Sequence, residues 1–335
     1  MKRTYTVVLM LALLALGLAA HAQTLGTTAR YLGMGLTGIA AADDAGAVDF
    51  NPANLGSLNL RPLDESYNVR PAHVDEPLWM AQGEVTSAVS GDLDFTAFHA
   101  AAYYINHVHK KHGFGVSFQT LEGGVLGQDG LDTEQYQPTE SGVPSLETFT
   151  VGYGHVYHHE NWGWGLSLSH KTAFQPRLVV AGAIQPSFIN PEPGPAGRHT
   201  VNTLQGGLLW RLPQGQKAPI RLGLVVEDLL NDSGVGLQFH VGASVPVGQS
   251  LTLNADYLDV TDQVMNTVNV GAEYYVTPKW ILRVGDANLF ETGGSSSVFT
   301  AGAGWKTPRW NADLAWLSGL EGLGDELVVS SGYRF

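Results

Sequence analysis

The sequence predicts an all-β chain folded as a transmembrane barrel, and three observations lead to this prediction. From residue 95 onward, apolar side chains alternate with small or polar ones, the connections between these segments alternate between short and long, and a secretory signal precedes them. In residues 162–169, Trp and Leu occupy one face, and Gly and Ser occupy the other. Successive side chains of a strand point to opposite faces, and no helical stripe of comparable length competes with this pattern.

Residues 1–22 have the layout of a cleaved signal peptide. Lys2 and Arg3 precede an apolar run over residues 7–20, and Ala20-His21-Ala22 forms a small-x-small cleavage site. The run is short for a membrane helix, which needs ~20 residues, so an uncleaved anchor is the weaker alternative. We therefore expect an exported protein that contains no transmembrane helix.

Fourteen antiparallel strands are expected after the N-terminal region. We assign them to residues 63–73, 95–108, 113–121, 148–158, 162–172, 199–212, 220–227, 236–246, 251–258, 268–276, 280–285, 298–306, 310–318 and 327–335, with 77–90 as the alternative to 63–73. Connections after even-numbered strands are short, whereas those after odd-numbered strands are longer, notably 74–94, 122–147 and 173–198. Transmembrane barrels have tight periplasmic turns and long outer loops, so the spacing favours a membrane barrel.

Composition and charge exclude several classes of protein. The formal net charge of −13 argues against binding nucleic acid, whose phosphates require a basic surface. The chain is too apolar for a disordered tail, and without cysteine it has no disulfide, thiol nucleophile or thiolate metal site. Acidic residues concentrate in the long connections and lysines in the short turns. A soluble sandwich, the alternative all-β fold, has no reason for this segregation.

The last predicted strand ends in two aromatic residues, Tyr333 and Phe335, on one face. This ending resembles the signal that outer-membrane barrels present to their assembly machinery, so we expect Phe335 to contact that machinery. Aromatic residues near strand ends are expected to contact outer-membrane lipid at its interfaces. These residues are Trp162, Trp280, Trp305, Trp310, Tyr274 and Tyr333. The expected location is the outer membrane of a diderm bacterium.

Residues 29–56 carry a family resemblance. They contain, in order, Gly33-Met34-Gly35, then Ala42 to Ala45 with Asp43 and Asp44 between them, and Asn51-Pro52-Ala53. This combination resembles the N-terminal signature of the FadL superfamily of outer-membrane barrels. The barrel region is more similar to the shorter PorV-like branch (PorV and PorQ) than to the long-chain fatty-acid transporters. The similar segments are 162–169, 220–230, 271–280 and 332–335.

The resemblance implies that residues 23–60 form a hatch inside the lumen of a barrel built from residues 61–335. The candidate binding residues of the hatch are Gly33, Gly35, Asp43, Asp44, Asn51, Pro52 and Ala53. From the residues alone, Asn51 can cap a short helix that begins at Pro52, and Asp43 and Asp44 can cap a turn or pair with an inward arginine. Strand alternation gives the charged lumen candidates, which are Arg221, Glu227, Asp256, Glu273, Arg283 and Asp313. These residues either hold the hatch by ion pairing or select a substrate.

Two functions compete. The first is the binding or passage of hydrophobic compounds across the outer membrane, which predicts an apolar lumen pocket and a local break in a strand. The second is a PorV-like accessory role in protein secretion or surface attachment, which predicts outer loops that hold an exported protein. A purely structural barrel is the third interpretation.

We expect no enzyme, catalytic residue, cofactor or metal site. Histidines at 107, 109 and 112 and at 155, 158 and 159 could gather at the periplasmic rim, and imidazoles at such spacing can bind zinc or copper. Solvated turn histidines are the simpler interpretation of this group, and the sequence therefore predicts no metal.

Overall fold

The computed structural model describes thirteen ranges of the chain. These are residues 28–57, 78–89, 95–106, 112–123, 145–157, 161–175, 197–214, 217–230, 236–261, 266–291, 297–307, 309–320 and 324–334. The predicted signal peptide at 1–22, the segment 63–73 and Phe335 lie outside the described residues, so those three predictions remain untested. Among the described residues, no helix is long and apolar enough to cross a membrane.

Residues 28–57, called the N-terminal segment below, contain three short helices: α1 (Ala29–Leu32), α2 (Ala47–Phe50) and the 3₁₀-helix η1 (Pro52–Ser57). The strands follow. They are β1 (Leu78–Val89), β2 (Phe95–Asn106), β3 (His112–Gly123), β4 (Ser145–Val156), β5 (Trp162–Gln175), β6 (Gly197–Gln214), β7 (Lys217–Glu227), β8 (Gln238–Val247), β9 (Leu251–Leu258), β10 (Thr267–Tyr275), β11 (Trp280–Glu291), β12 (Val298–Lys306), β13 (Trp310–Leu320) and β14 (Gly324–Arg334).

The strands form one closed antiparallel barrel, and the predicted all-β, antiparallel class is therefore confirmed. Each strand pairs with its neighbours in the chain, and β1 closes the sheet by pairing with β14, with Met80 opposite Arg334. The prediction that 74–94 is a loop is wrong, because β1 occupies Leu78–Val89. This range lies within the alternative first strand at 77–90. Closure requires a strand that pairs on both sides, and Leu78–Val89 pairs with both β2 and β14.

Apolar side chains point outward from the barrel, which excludes the soluble sandwich. Phe114 is 51% exposed, and Val116 and Phe118 on the same face are also exposed. Gly115 and Ser117, on the opposite face of β3, are buried. The same alternation continues in β5, where Leu166 and Leu168 point outward. An outward apolar band with a small or polar interior is the pattern of a barrel that sits in lipid.

The N-terminal segment packs against the inner face of the barrel wall. It lies against glycines of the strands, where an added Cβ would overlap the segment's own backbone. Gly285 and Gly271 face the backbone at Met34 and Gly35, and Gly165 faces Pro52. Gly35 has a φ of +64° and its backbone lies between β10 and β11, a position in which any side chain would be strained. The glycine-lined wall therefore allows backbone-to-backbone contact with the segment.

Replacing one of these glycines should loosen the segment. We expect Gly285→Ala to lower the free energy of unfolding by about 1–3 kcal/mol, because the new methyl group has no room against Gly35. The measurement is urea unfolding in detergent, together with the rate of trypsin cleavage after Arg30. The control is Gly206→Ala. The atom nearest to an added Cβ at this position is a side-chain methyl of Leu229, 3.3 Å away, so the new methyl group meets the end of a side chain rather than backbone. Equal effects of the two variants would contradict a tight segment–wall contact.

Candidate functional site

A buried charge cluster joins the N-terminal segment to the barrel wall. Arg30 on α1 donates from Nη1 to Asp43 and, at 3.4 Å, to Oδ2 of Asp44. Its Nε and Nη2 atoms donate to the two carboxylate oxygens of Glu273 on β10, at 3.1 and 3.3 Å. All four side chains are nearly inaccessible to solvent. Because Arg30 forms a two-point contact with Glu273, its position relative to the wall is fixed in direction as well as distance.

The charge cluster continues along the wall. Arg283 on β11 donates from Nε to Glu273 at 3.0 Å and from Nη1 to Asp313 on β13 at 2.7 Å. The hydroxyl of Tyr275 donates to Glu273 at 3.0 Å. Two guanidinium groups thus face four carboxylates. A small cavity of about 20 Å³ adjoins the cluster at the short-turn end, and Lys306 and Arg309 also line it.

Burial and neighbouring charges shift the pKa values of Asp44 and Arg30 in the segment. Burial raises the pKa of the Asp44 carboxyl above its usual value, although Arg30 acts in the opposite direction. For Arg30, burial acts to lower the pKa, but Asp43 and Glu273 outweigh it, and the pKa of the guanidinium lies well above its ordinary value. Arg30 is therefore a permanent cation around which the acidic groups are arranged.

A second set of contacts fixes the turn at Gly38 and Ile39. The carboxylate of Asp256 on β9 accepts hydrogen bonds from both backbone N–H groups, at 2.7 and 3.0 Å. The carbonyl oxygen of Ile39 accepts from the side-chain amides of Asn51 and Asn54, at 3.0 and 3.1 Å. The turn is thereby fixed by Asp256 of the wall on one side. On the other side it is fixed by Asn54 of η1 and by Asn51, which immediately precedes η1.

Asn51 links three parts of the molecule. Its amide donates to Ile39 and, at 3.1 Å, to the carbonyl of Leu208 on β6, while its Oδ1 accepts from the N–H of Ala53. The last of these contacts is the helix cap predicted for Asn51 with Pro52 at the first helical position. Asn51 is fully buried, so each of its polar atoms has a structural use.

The other predicted residues lie in different places. Arg221 donates to the carbonyl of Ala41 and to Ser244, both at 3.2 Å. Gly33 packs against the backbone of Gly302. Pro52 and Ala53 pack against Gly165. Glu227 faces Lys171 at 3.1 Å and His240 at 3.6 Å, toward the long-connection end of the barrel. Direct contact of any of these residues with a ligand stays a prediction.

Sequence reasoning missed Arg30, Tyr31 and Asp49. The acidic pair at 43–44 was expected either to cap a turn or to meet an inward arginine; Asp44 accepts from the N–H of Gly46, and the arginine that contacts both residues comes from α1 itself. The hydroxyl of Tyr31 donates to Asp44 at 2.7 Å. Asp49 contacts His99 at 3.0 Å and accepts from Ser117. An available signal was that Arg30 is the only basic residue in 28–57 while three aspartates follow it.

An apolar cluster and an irregular strand pair lie on the same wall as the charge cluster, further toward the long-connection end of β11 and β13. The apolar lumen cluster consists of Ala29, Leu32, Ala287, Val298, Ala315, Leu317 and Val328, with Leu36 packed against it. Beside it, the register of β10 and β11 shifts between Val268 and Val270. Residues 287–289 therefore lie opposite the single residue Asn269, and we call this irregularity the β10–β11 seam. Asn288 has a φ of +61°, and its N–H donates to Oδ1 of Asn269 at 2.9 Å.

The charge cluster gives a direct stability test. We expect Glu273→Ala to lower the free energy of unfolding by about 3–5 kcal/mol, because it leaves two buried guanidinium groups without their shared carboxylate. Urea unfolding in detergent measures this change, and faster trypsin cleavage after Arg30 should accompany it. The control is Glu147→Ala on an exposed side chain of β4, expected to change stability by less than about 0.5 kcal/mol. If Glu273→Ala lowered the free energy of unfolding no more than Glu147→Ala does, the charge cluster would have no role in stability.

Asn51 provides an isosteric test. In Asn51→Asp the carbonyl oxygens of Ile39 and Leu208 each lose the donor that Asn51 supplies and face a carboxylate, so we expect a loss of at least about 2 kcal/mol in the free energy of unfolding. The loss should be smaller at pH 5 than at pH 8, because a protonated aspartate regains one donor. Unfolding free energies at the two pH values provide the measurement, with Asn202→Asp on an exposed residue as the control. A pH-independent loss would mean that the amide donors are not what Asn51 contributes.

Comparison with solved structures shows a shared fold. The toluene transporter TbuX of Ralstonia pickettii is 15% identical, with a TM-score of 0.56 over 92% of this chain and 98% of that one. The Pseudomonas putida toluene transporter TodX is 11% identical over the same shares, with a TM-score of 0.57. A Pseudomonas aeruginosa FadL homologue is 12% identical, with a TM-score of 0.51 over 94% and 99% of the two chains. No family model and no curated protein matches the sequence. The protein therefore has the fold of FadL-type barrels over nearly its whole length.

Proposed function

We propose that this protein is a fourteen-stranded outer-membrane barrel that passes hydrophobic compounds across the membrane, with its N-terminal segment acting as a hatch. The observation that carries the proposal is the meeting of an apolar lumen surface with an irregular place in the wall. Ala287 belongs both to the apolar lumen cluster and to the β10–β11 seam. A passage function was expected to bring an apolar lumen pocket and a local break in a strand, and the packed apolar cluster and the register shift support that expectation in part.

The seam offers a route between lumen and lipid. Regular antiparallel pairing satisfies the backbone of both strands, whereas at the seam the side chain of Asn269 takes the place of a backbone partner. A side-chain contact can be broken without separating the strands above and below it. Val268 still pairs with Phe290 on one side of the seam, and Val270 pairs with Asp286 on the other.

The N-terminal segment combines apolar contacts that a compound can displace with polar contacts that hold it to the wall. Ala29, Leu32 and Leu36 supply the apolar contacts beside the seam, while Arg30 of the same helix binds Glu273. A hydrophobic compound can replace those contacts at little cost in free energy, because one apolar surface is exchanged for another. The hydrogen-bonded part at Ile39, Asn51 and Ser57 stays attached to the wall and keeps the lumen closed to water and ions.

The fold of the related channels supports the proposal. TbuX and TodX are described as toluene transporters, and both align over nearly their full length with this chain. We accordingly propose a cleaved signal at 1–22, a hatch at 23–60 and a barrel at 61–335, with the outer membrane as location and Phe335 as the contact for the assembly machinery. Outer-membrane lipid and a hydrophobic small molecule are the proposed partners.

The secretion role stays a prediction. It depends on outer loops that hold an exported protein, and residues 124–144 and 176–196 in the long connections lie outside the described residues. No comparison supports the PorV-like branch, since the solved structures with this fold that are named above are transporters or a FadL homologue.

A disulfide across the seam tests the passage function. The chain has no cysteine, so Asn269→Cys with Asn288→Cys introduces the only thiols. Oxidation should slow toluene uptake by about tenfold, because the opening step is blocked, and a reductant should restore it. Uptake is measured in vesicles that contain the purified protein.

The matched control carries Ala272→Cys and Val284→Cys at a regular pair of the same two strands. Its uptake should change by less than about twofold on oxidation, because that part of the wall does not need to open. Equal inhibition of both variants would exclude the seam as the route. Absence of uptake by the unmodified protein would exclude passage of this compound altogether.

A further inference from the structure

The start of β3 and the end of β4 bring two histidines together at the short-turn end of the barrel. His112 lies opposite His155 in the strand register, and their ring centroids are 4.6 Å apart. Both side chains are half-buried and share the outward face with Tyr153. The remaining histidines of this sequence group, at 107, 109, 158 and 159, lie outside the described residues.

Three donor atoms converge between these side chains. The Nδ1 atoms of His112 and His155 are 3.2 Å apart, and the hydroxyl of Tyr153 contacts the same Nδ1 of His112. An imidazole nitrogen has one position in the ring plane, occupied by either a hydrogen or a lone pair. His112 Nδ1 can therefore form a full hydrogen bond with only one of its two neighbours at a time. A metal cation bound between the two Nδ1 atoms would accept a lone pair from each, so neither nitrogen would need a hydrogen-bond partner there.

The spacing fits a transition metal. Zinc–imidazole bonds are about 2.0–2.1 Å long, so two nitrogens 3.2 Å apart can bind one ion with an angle of about 100° at the metal. Imidazole favours zinc and copper, whereas calcium and magnesium require oxygen ligands. Among the described residues, no group of three or more His, Asp or Glu side chains is placed to hold a metal. In the part of the chain that the structure describes, the Tyr153 oxygen is the further ligand within reach, and solvent can supply the others.

We propose that His112 and His155 form a site for a divalent transition metal, Zn²⁺ or Cu²⁺, on the outer face of the barrel at its short-turn end. The site is independent of the passage function proposed above. It lies across the wall from the N-terminal segment, because Gly56 of η1 packs against the backbone of His155 on the inner face. A bound ion would join β3 to β4 where those strands contact η1.

Copper provides the test, with the full-length protein folded in detergent. Electron paramagnetic resonance after addition of Cu²⁺ should show nitrogen hyperfine splitting from two imidazoles, and calorimetry with Zn²⁺ alone should show one site. The variant with His112→Asn and His155→Asn should lose the splitting and weaken Zn²⁺ binding by more than about 100-fold, since both nitrogen ligands are absent. An unheated gel checks that the variant is folded.

Two controls make the result decisive. His170→Asn, on an exposed histidine near the other end of β5, should leave binding unchanged. Replacement of the histidines at 107, 109, 158 and 159 should also preserve the two-imidazole signal. Unchanged binding in the His112/His155 variant, or loss of the signal only in the four-histidine variant, would overturn the proposal. If the His112/His155 variant does not fold, His155→Asn alone should reduce the signal to one imidazole, and an unreduced signal would equally overturn it.

Discussion

The contact between Arg30 and Glu273 is the interaction on which the arrangement of the lumen depends. Isolated charges are expensive to bury, and each member of the cluster is acceptable only because the others are present. Arg30 brings α1 to the wall, and this contact places Leu32 and Leu36 against the apolar lumen cluster. The same carboxylate binds Arg283, which connects the segment through β10 and β11 to Asp313 on β13. A single buried carboxylate thus aligns one helix and three strands.

Glycines of the wall and polar side chains together determine how the N-terminal segment packs against the barrel. Glycines at positions such as 165 and 285 let backbone meet backbone, where only dispersion and shape decide the fit. The anchors at Asp256, Asn51 and Arg221 then fix the register of the segment, because a hydrogen bond has direction as well as distance. A wall of large side chains could not have left room for the segment.

The alternation of apolar with small or polar residues predicts most strands, because each strand has one face toward lipid and one toward the lumen and so carries the pattern in its own sequence. Strands at 251–258 and 298–306 were predicted to the residue, whereas the strand beginning at 280 was ended at 285 although it continues to Glu291. The seam explains this error, since Asn288 and its neighbours break the alternation. The first strand was placed at 63–73 with 77–90 as the alternative, and local patterning could not choose between them because closure depends on a partner at the far end of the chain. Arg30 was missed because its partner Glu273 is 243 residues away, and no local pattern records such a contact.

Strand length differs greatly around the barrel, from 8 residues in β9 to 18 in β6. A tilted strand needs about 9–11 residues to cross the hydrocarbon of a membrane. β9, with 8 residues, and β10, with 9, are therefore barely long enough to cross the hydrocarbon, while β5 and β6 are long enough to extend beyond it. The wall is therefore taller at β5 and β6 than at β9 and β10, and the seam lies beside the shorter strands. Under the proposed passage function, lipid of the outer leaflet would reach the rim beside the seam, and a compound leaving there would travel only a short distance before it met acyl chains.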